Sequence, residues 1–99
     1  PQRQEPLHQR RALGDVAGLV AAVDANPLDH QARFDLAMAL AGHNRRLDAV
    51  EHLVTILRKN RKWNDEAARK QLLQFFDAWG PMDEATLTGR RQLSATLFS

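Results

Sequence analysis

The chain contains no cysteine, which excludes disulfides, thiolate nucleophiles, iron–sulfur clusters and cysteine-ligated zinc, and leaves the compartment open. Tyrosine is also absent, and the five glycines are scattered, so no glycine-rich loop is available to cradle a phosphate. No apolar stretch reaches the length of a secretory core or a membrane span. An excess of one charge is missing too: 14 Lys and Arg face 12 Asp and Glu, for a formal net charge of +2. Nucleic-acid-binding domains concentrate a much larger excess on one face, because affinity scales with the phosphates neutralised. Here the signs are interleaved. What remains is a balance of 43% hydrophobic and 26% charged residues over 99 positions, the profile of a soluble globular chain rather than a disordered tail. That length suits one small domain able to bury only roughly 60 to 65% of its unfolded surface. The first residue is Pro1 rather than Met, which suggests a piece cut from a longer protein.

Residues 1–6 are polar with a proline at each end and read as a linker; residues 7–13 could end a preceding helix, though their apolar content is thin. From Asp15 onward Val16, Leu19, Val20 and Val23 step at helical spacing until Asn26 and Pro27 stop them. Asp29 is placed to cap a second helix carrying Ala32, Leu36, Ala37 and Leu40, with Gly42 at its end. Asn44 opens a third, with Leu47, Val50, Leu53, Val54, Ile56 and Leu57 on its apolar side and Arg58 and Lys59 where cations suit a helix C-terminus. Asn64 caps a fourth, with Asp65 and Glu66 in its first turn and Ala68, Leu72, Phe75, Phe76 and Trp79 before Gly80 and Pro81. Asp83 caps a fifth, where Leu87, Leu93, Leu97 and Phe98 are apolar and Gly89 is a weak point costing about 1 kcal/mol relative to alanine. No window alternates with period two, so the fold class is all-α.

A shift of thirty-four residues superimposes Leu19 on Leu53, Val20 on Val54, Ala22 on Ile56, Val23 on Leu57 and Asn26 on Asn60. That period belongs to the tetratricopeptide repeat, a helix–turn–helix unit that buries its apolar face only by stacking on neighbours. The second and third helices resemble one such unit, with Leu36, Ala37, Leu40, Ala49 and Ile56 at its packing positions. Three positions depart from it: Arg33 stands where a large aromatic is usual, Asn44 at the turn glycine and Arg61 at the closing proline. The expected architecture is a right-handed stack of antiparallel helix pairs, about five helices over residues 14–99. An insertion near Arg61 and Asn64 makes the last pair an atypical C-terminal cap.

Residues 49–73, AVEHLVTILRKNRKWNDEAARKQLL, resemble the C-terminal region of the bacterial thioredoxin-like co-chaperones of the YbbN or CnoX type. The residues that carry the resemblance are Arg61, Trp63, Asn64 and Asp65, then Ala68, Arg69, Lys70, Leu72 and Leu73, and finally Arg90, Arg91, Leu93, Leu97 and Phe98. It extends over residues 14–98 and is strongest in the second half. The resemblance implies a cytoplasmic, two-part parent protein in which a thioredoxin-fold domain precedes this one. It also implies a holdase that passes unfolded clients to a chaperonin. The thioredoxin domain and any Cys-x-x-Cys motif would lie upstream, so no redox activity is expected of this chain; with no catalytic constellation in it, no cofactor and no enzymatic role are expected either.

His8, His30, His43 and His52 lack the spacing that aims ligands at one metal and read as solvated or cap-proximal. Asp48, Glu51 and His52 share a turn, but no nucleophile accompanies them. Trp63, just before the Asn64 position, is expected to pack over the first turns of its own helix, and Phe75, Phe76 and Trp79 are expected in the core. Partner binding falls to two places. In the repeat frame Gln31, Phe34 and Met38 lie on the groove face of the second helix, open or covered by a neighbour; Phe34 and Met38 would form an adaptable apolar strip. The terminal helix offers Arg90, Arg91 and Phe98 to a partner, with packing back on the fourth helix as the alternative for Leu93 and Leu97. Competing functions are a spacing or oligomerisation module, and an adaptor for an anionic partner using Arg58, Lys59, Arg61 and Lys62; nucleic acid and membrane are not expected partners.

Overall fold

The computed structural model describes residues 15–98; the stretch expected as linker or frayed helix, residues 1–13, lies outside them. Among the described residues five helices follow one another: α1 (Val16–Ala25), α2 (His30–Gly42), α3 (Arg46–Lys59), α4 (Trp63–Trp79) and α5 (Glu84–Leu97). They stack in an elongated body of 47 × 26 × 21 Å. Helix α3 is its spine, packed against α2, α4 and α5, while α1 closes on α2.

Several elements form for the reasons visible in the sequence. The Asp29 carboxylate accepts from the Ala32 amide at 3.0 Å and the Asp83 carboxylate from the Ala85 amide at 2.9 Å, satisfying donors that α2 and α5 leave open. Alanines 32, 37 and 39 of α2 and Ala49 of α3 are all buried, which brings the two helices close. The thirty-four-residue shift is structural as well as sequential. Leu19 and Leu53 are fully buried, Val23 and Leu57 nearly so, and Asn26 and Asn60 both end their helices in extended backbone. The equivalence fails at Val20, which is exposed where Val54 is buried.

Asn44 does not open α3. It has φ of 63° and closes α2: its amide bonds to the Ala41 carbonyl at 3.0 Å, and the Arg45 amide bonds to the Leu40 carbonyl at 2.8 Å. This is the double reverse bond of a helix C-terminus whose last residue is left-handed, a place asparagine tolerates in the absence of glycine. Helix α3 starts at Arg46 without a side-chain cap. Leu47 and Leu87, assigned above to apolar faces, are both exposed. Phe76 is buried, whereas Phe75 and Trp79 stack on each other at 4.6 Å at the edge of the core. Trp79 also carries the Arg46 guanidinium 5.2 Å from its ring centre, and Arg46 in turn bonds Asp83 at 2.8 Å.

Asn64 is not a cap either. Asn64, Asp65 and Glu66 all have positive φ, 50°, 57° and 61°, so α4 begins with a left-handed turn before its right-handed body. Such backbone costs roughly 1–2 kcal/mol per non-glycine residue. Arg69 holds Glu66 at 2.9 Å and Lys70 holds Asp65 at 3.0 Å. The break in repeat register falls at the expected insertion near Arg61 and Asn64: beyond residues 60–62 the chain spends the left-handed residues 64–66 before the right-handed body of α4 begins.

The left-handed turn makes a test with a definite sign. The Asp65 side chain is 92% exposed, so its ion pair contributes little. Asp65→Gly should therefore stabilise the domain by about 1 kcal/mol, because glycine adopts this backbone without penalty. In a right-handed helix the same change would instead destabilise, by about 0.3 kcal/mol. The direction of the shift in a urea denaturation midpoint separates the two.

Candidate functional site

The outward face of α2 is fixed from below by an unexpected polar contact. Arg33, at the usual aromatic position, is buried: its Nη1 donates to His52 Nδ1 of α3 at 3.3 Å and its Nη2 to the Pro27 carbonyl at 3.3 Å. The guanidinium thus ties α2 to α3 and to the turn before α2. Two buried nitrogens here, Arg33 Nε and His30 Nδ1, find no partner among the described residues, which is costly for buried polar atoms. His30 and His43 are cap-proximal as expected; His52 sits mid-helix and half-buried, and His8 lies outside the described residues.

Burial, and then the neighbouring Arg33 charge, hold the His52 pKa below its ordinary value. Arginine can only donate, so His52 Nδ1 must accept, and the neutral ring is the one that fits. The unfolded chain takes up this proton more readily than the folded one. Stability is therefore fully present above the ordinary histidine pKa of about 6.5 and is lost as pH falls below it. Urea midpoints at about pH 7.5 and about pH 5.5 should fall more steeply for the natural chain than for His52→Gln. Equal slopes would contradict the assignment.

Above this base lie the expected groove residues. Gln31 is exposed and its amide donates to Asp35 at 2.9 Å. Met38 is 39% exposed, while Phe34 is half-buried. What partly covers Phe34 is Trp63, whose ring lies 5.7 Å from it and 6.0 Å from the His30 ring. Trp63 thus turns toward α2 rather than over its own helix. It is the residue that sequence reasoning left out of the groove; the only signal was a large aromatic beside a break between helices. The face is neither fully open nor covered: an aromatic ring braced from one side, with Met38 and Gln31 exposed beside it.

The second set divides. Arg90 lies 6.0 Å over the Phe76 ring and Arg91 reaches the Thr88 hydroxyl at 3.5 Å, both exposed on the outer side of α5. Phe98, 83% exposed, instead lines a shallow groove of about 460 Å³ with Lys62, Arg69 and Leu97. Leu93 is buried and Leu97 half-buried against the core. No group of three or more potential ligands that could hold a metal occurs among the described residues. None of their helices is long and apolar enough to cross a membrane.

Helix pairs that hide one face against the next pair and leave the other free define a helical-repeat scaffold, whose use is to present a surface. Residues 9–98 match the tetratricopeptide repeat, and since this match covers most of the chain, the chain belongs to that family, whose repeats are typically non-catalytic protein-interaction modules. Comparison with curated proteins and with solved structures returned no match.

Proposed function

We propose that this chain is the protein-docking domain of a cytoplasmic, thioredoxin-family co-chaperone, and that the α2 face receives extended apolar segments of unfolded clients. The observation that carries the reading is the strip of Phe34 and Met38, one turn apart, with Trp63 bracing the phenylalanine. A braced ring loses little freedom on binding, and an exposed methionine adapts to varied side chains. Gln31 supplies a polar edge. The resemblance of residues 49–73 to the co-chaperones supports the client class and an upstream thioredoxin-fold domain. On α5, Arg90 and Arg91 are the proposed contact for a chaperonin, with Phe98, beyond the end of the helix, on the neighbouring groove.

Suppression of thermal aggregation of a folded client protein tests the reading. The natural chain should delay aggregation, and Met38→Gln should lose most of that effect while melting normally, because Met38 is partly exposed. Phe34→Ala should lose it too, with some loss of stability. No suppression by the natural chain, or full suppression by Met38→Gln, would overturn it.

A further inference from the structure

We propose a second docking surface, separate from the α2 face: the end of the stack where α3 and α5 finish and α4 begins, which fits an acidic, extended segment of another protein carrying an apolar side chain. Sequence places Arg58, Lys59, Arg61 and Lys62 together, and folding brings the Leu97 and Phe98 end of α5 to them. Arg61 Nη2 donates to the Leu97 carbonyl at 2.7 Å and stands between two shallow grooves of about 500 and 460 Å³. One groove is floored by Leu57 and Ala95, the other by Leu97 and Phe98.

Charge selects the occupant. The acids at this end are already used, Glu66 by Arg69 and Asp65 by Lys70. Arg58, Lys59 and Lys62 are exposed, and Arg61 meets a carbonyl rather than a carboxylate. Helix dipoles do not absorb this surplus. Two helix C-termini and one N-terminus together offer only about half an elementary negative charge. The whole chain has a net charge of +2, so outside these four cations acids outnumber bases. Within residues 15–98 acids and bases are equal in number, eleven each, so these four cations form a local positive cluster on a body that is otherwise net acidic.

The chain cannot fill the surface from its own residues 1–14, where Glu5 is the sole acid against Arg3, Arg10 and Arg11. A second copy would set one basic end against another. Nucleic acid fits less well than a peptide, because the surface has one exposed aromatic rather than a series for stacking bases, and apolar floors suited to side chains. An acidic segment with an apolar residue satisfies both features: its carboxylates meet the arginines and lysines, and its apolar side chain covers Phe98.

The test uses the full chain and a fluorescein-labelled synthetic peptide of aspartate and glutamate with interspersed leucines, followed by anisotropy at low salt. Expected is saturable binding that weakens as salt rises. Arg58→Glu with Lys62→Glu, two exposed sites whose reversal leaves the α5 cap intact, should weaken it roughly tenfold or more. Phe98→Ala should weaken it several-fold, and Met38→Gln should not change it. Binding that survives the double charge reversal would overturn the proposal. So would a single-stranded oligonucleotide or anionic lipid vesicles binding more tightly than the peptide, or an all-acidic peptide without leucine binding equally well. Because Met38→Gln acts only on the α2 face, failure here and failure of the client-holding reading are distinguishable.

Discussion

Gly89→Ala should destabilise the domain by about 1–3 kcal/mol, although helix propensity alone predicts a gain of about 1 kcal/mol. The contacts decide the sign. A β-carbon at Gly89 would stand 2.5 Å from Phe76 Cε1, 2.7 Å from its Cζ and 3.3 Å from Val50 Cγ1. Phe76 is itself buried, so its ring has nowhere to retreat without disturbing the interface of α3, α4 and α5. The absence of a side chain at Gly89 is what lets α5 lie this close, and a residue that reads as a weak point in an isolated helix is a packing requirement in the stack. In a domain of this size each kcal/mol lowers the melting temperature by roughly 4–8 °C. Two controls sharpen the result. Gly42→Ala, where an added β-carbon meets nothing within 4 Å, should be neutral or mildly stabilising. Phe76→Leu should relieve part of the Gly89→Ala penalty, giving a double variant less destabilised than the sum of the two. A melting temperature raised by Gly89→Ala alone would show that α5 does not pack as described.

Leu53→Ala is expected to be the most damaging single change, costing about 2–5 kcal/mol, against a total stability of roughly 5–10 kcal/mol for a domain of this size. Leu53 is fully buried at the middle of α3, the helix that α2, α4 and α5 all pack on. Leu19, its equivalent one repeat earlier, is equally buried, but α1 packs chiefly on α2. In a stack whose stability is a sum of neighbouring interfaces, the two variants should differ in kind. Leu53→Ala should lower protection against amide exchange throughout α2 to α5. Leu19→Ala should release mainly α1. Equal loss of protection across all helices in both variants would mean that the chain unfolds as one block.

Much of the architecture was legible because it rests on local chemistry. The period of thirty-four residues marks equivalent positions in α1 and α3, and the caps at Asp29 and Asp83 depend on residues adjacent in sequence. What was hidden depends on partners far along the chain. Nothing near Arg33 in sequence shows that His52 and the Pro27 carbonyl will receive its guanidinium. Asn44 and Asn64 both resemble helix caps, yet each takes left-handed backbone, at the end of one helix and at the entry of another. Sequence neighbours alone place Trp63 with its own helix; its actual partners, His30 and Phe34, lie a whole repeat earlier. The same limit applied to the candidate site. The residues of the α2 face follow from the repeat frame, but that Trp63 closes one side of it, and that Phe98 joins the basic junction rather than Arg90 and Arg91, required the fold.

The most direct measurement of the client-holding account uses Trp63 as the reporter. In the Trp79→Phe chain Trp63 is the only tryptophan left, and its ring touches the proposed contact strip through Phe34. Titration with a permanently unfolded polypeptide free of tryptophan should give a saturable change in Trp63 emission, and Met38→Gln should weaken that binding. Binding detected by anisotropy of the labelled polypeptide with no change at Trp63, and undiminished by Met38→Gln, would place the client elsewhere on the molecule and contradict the account.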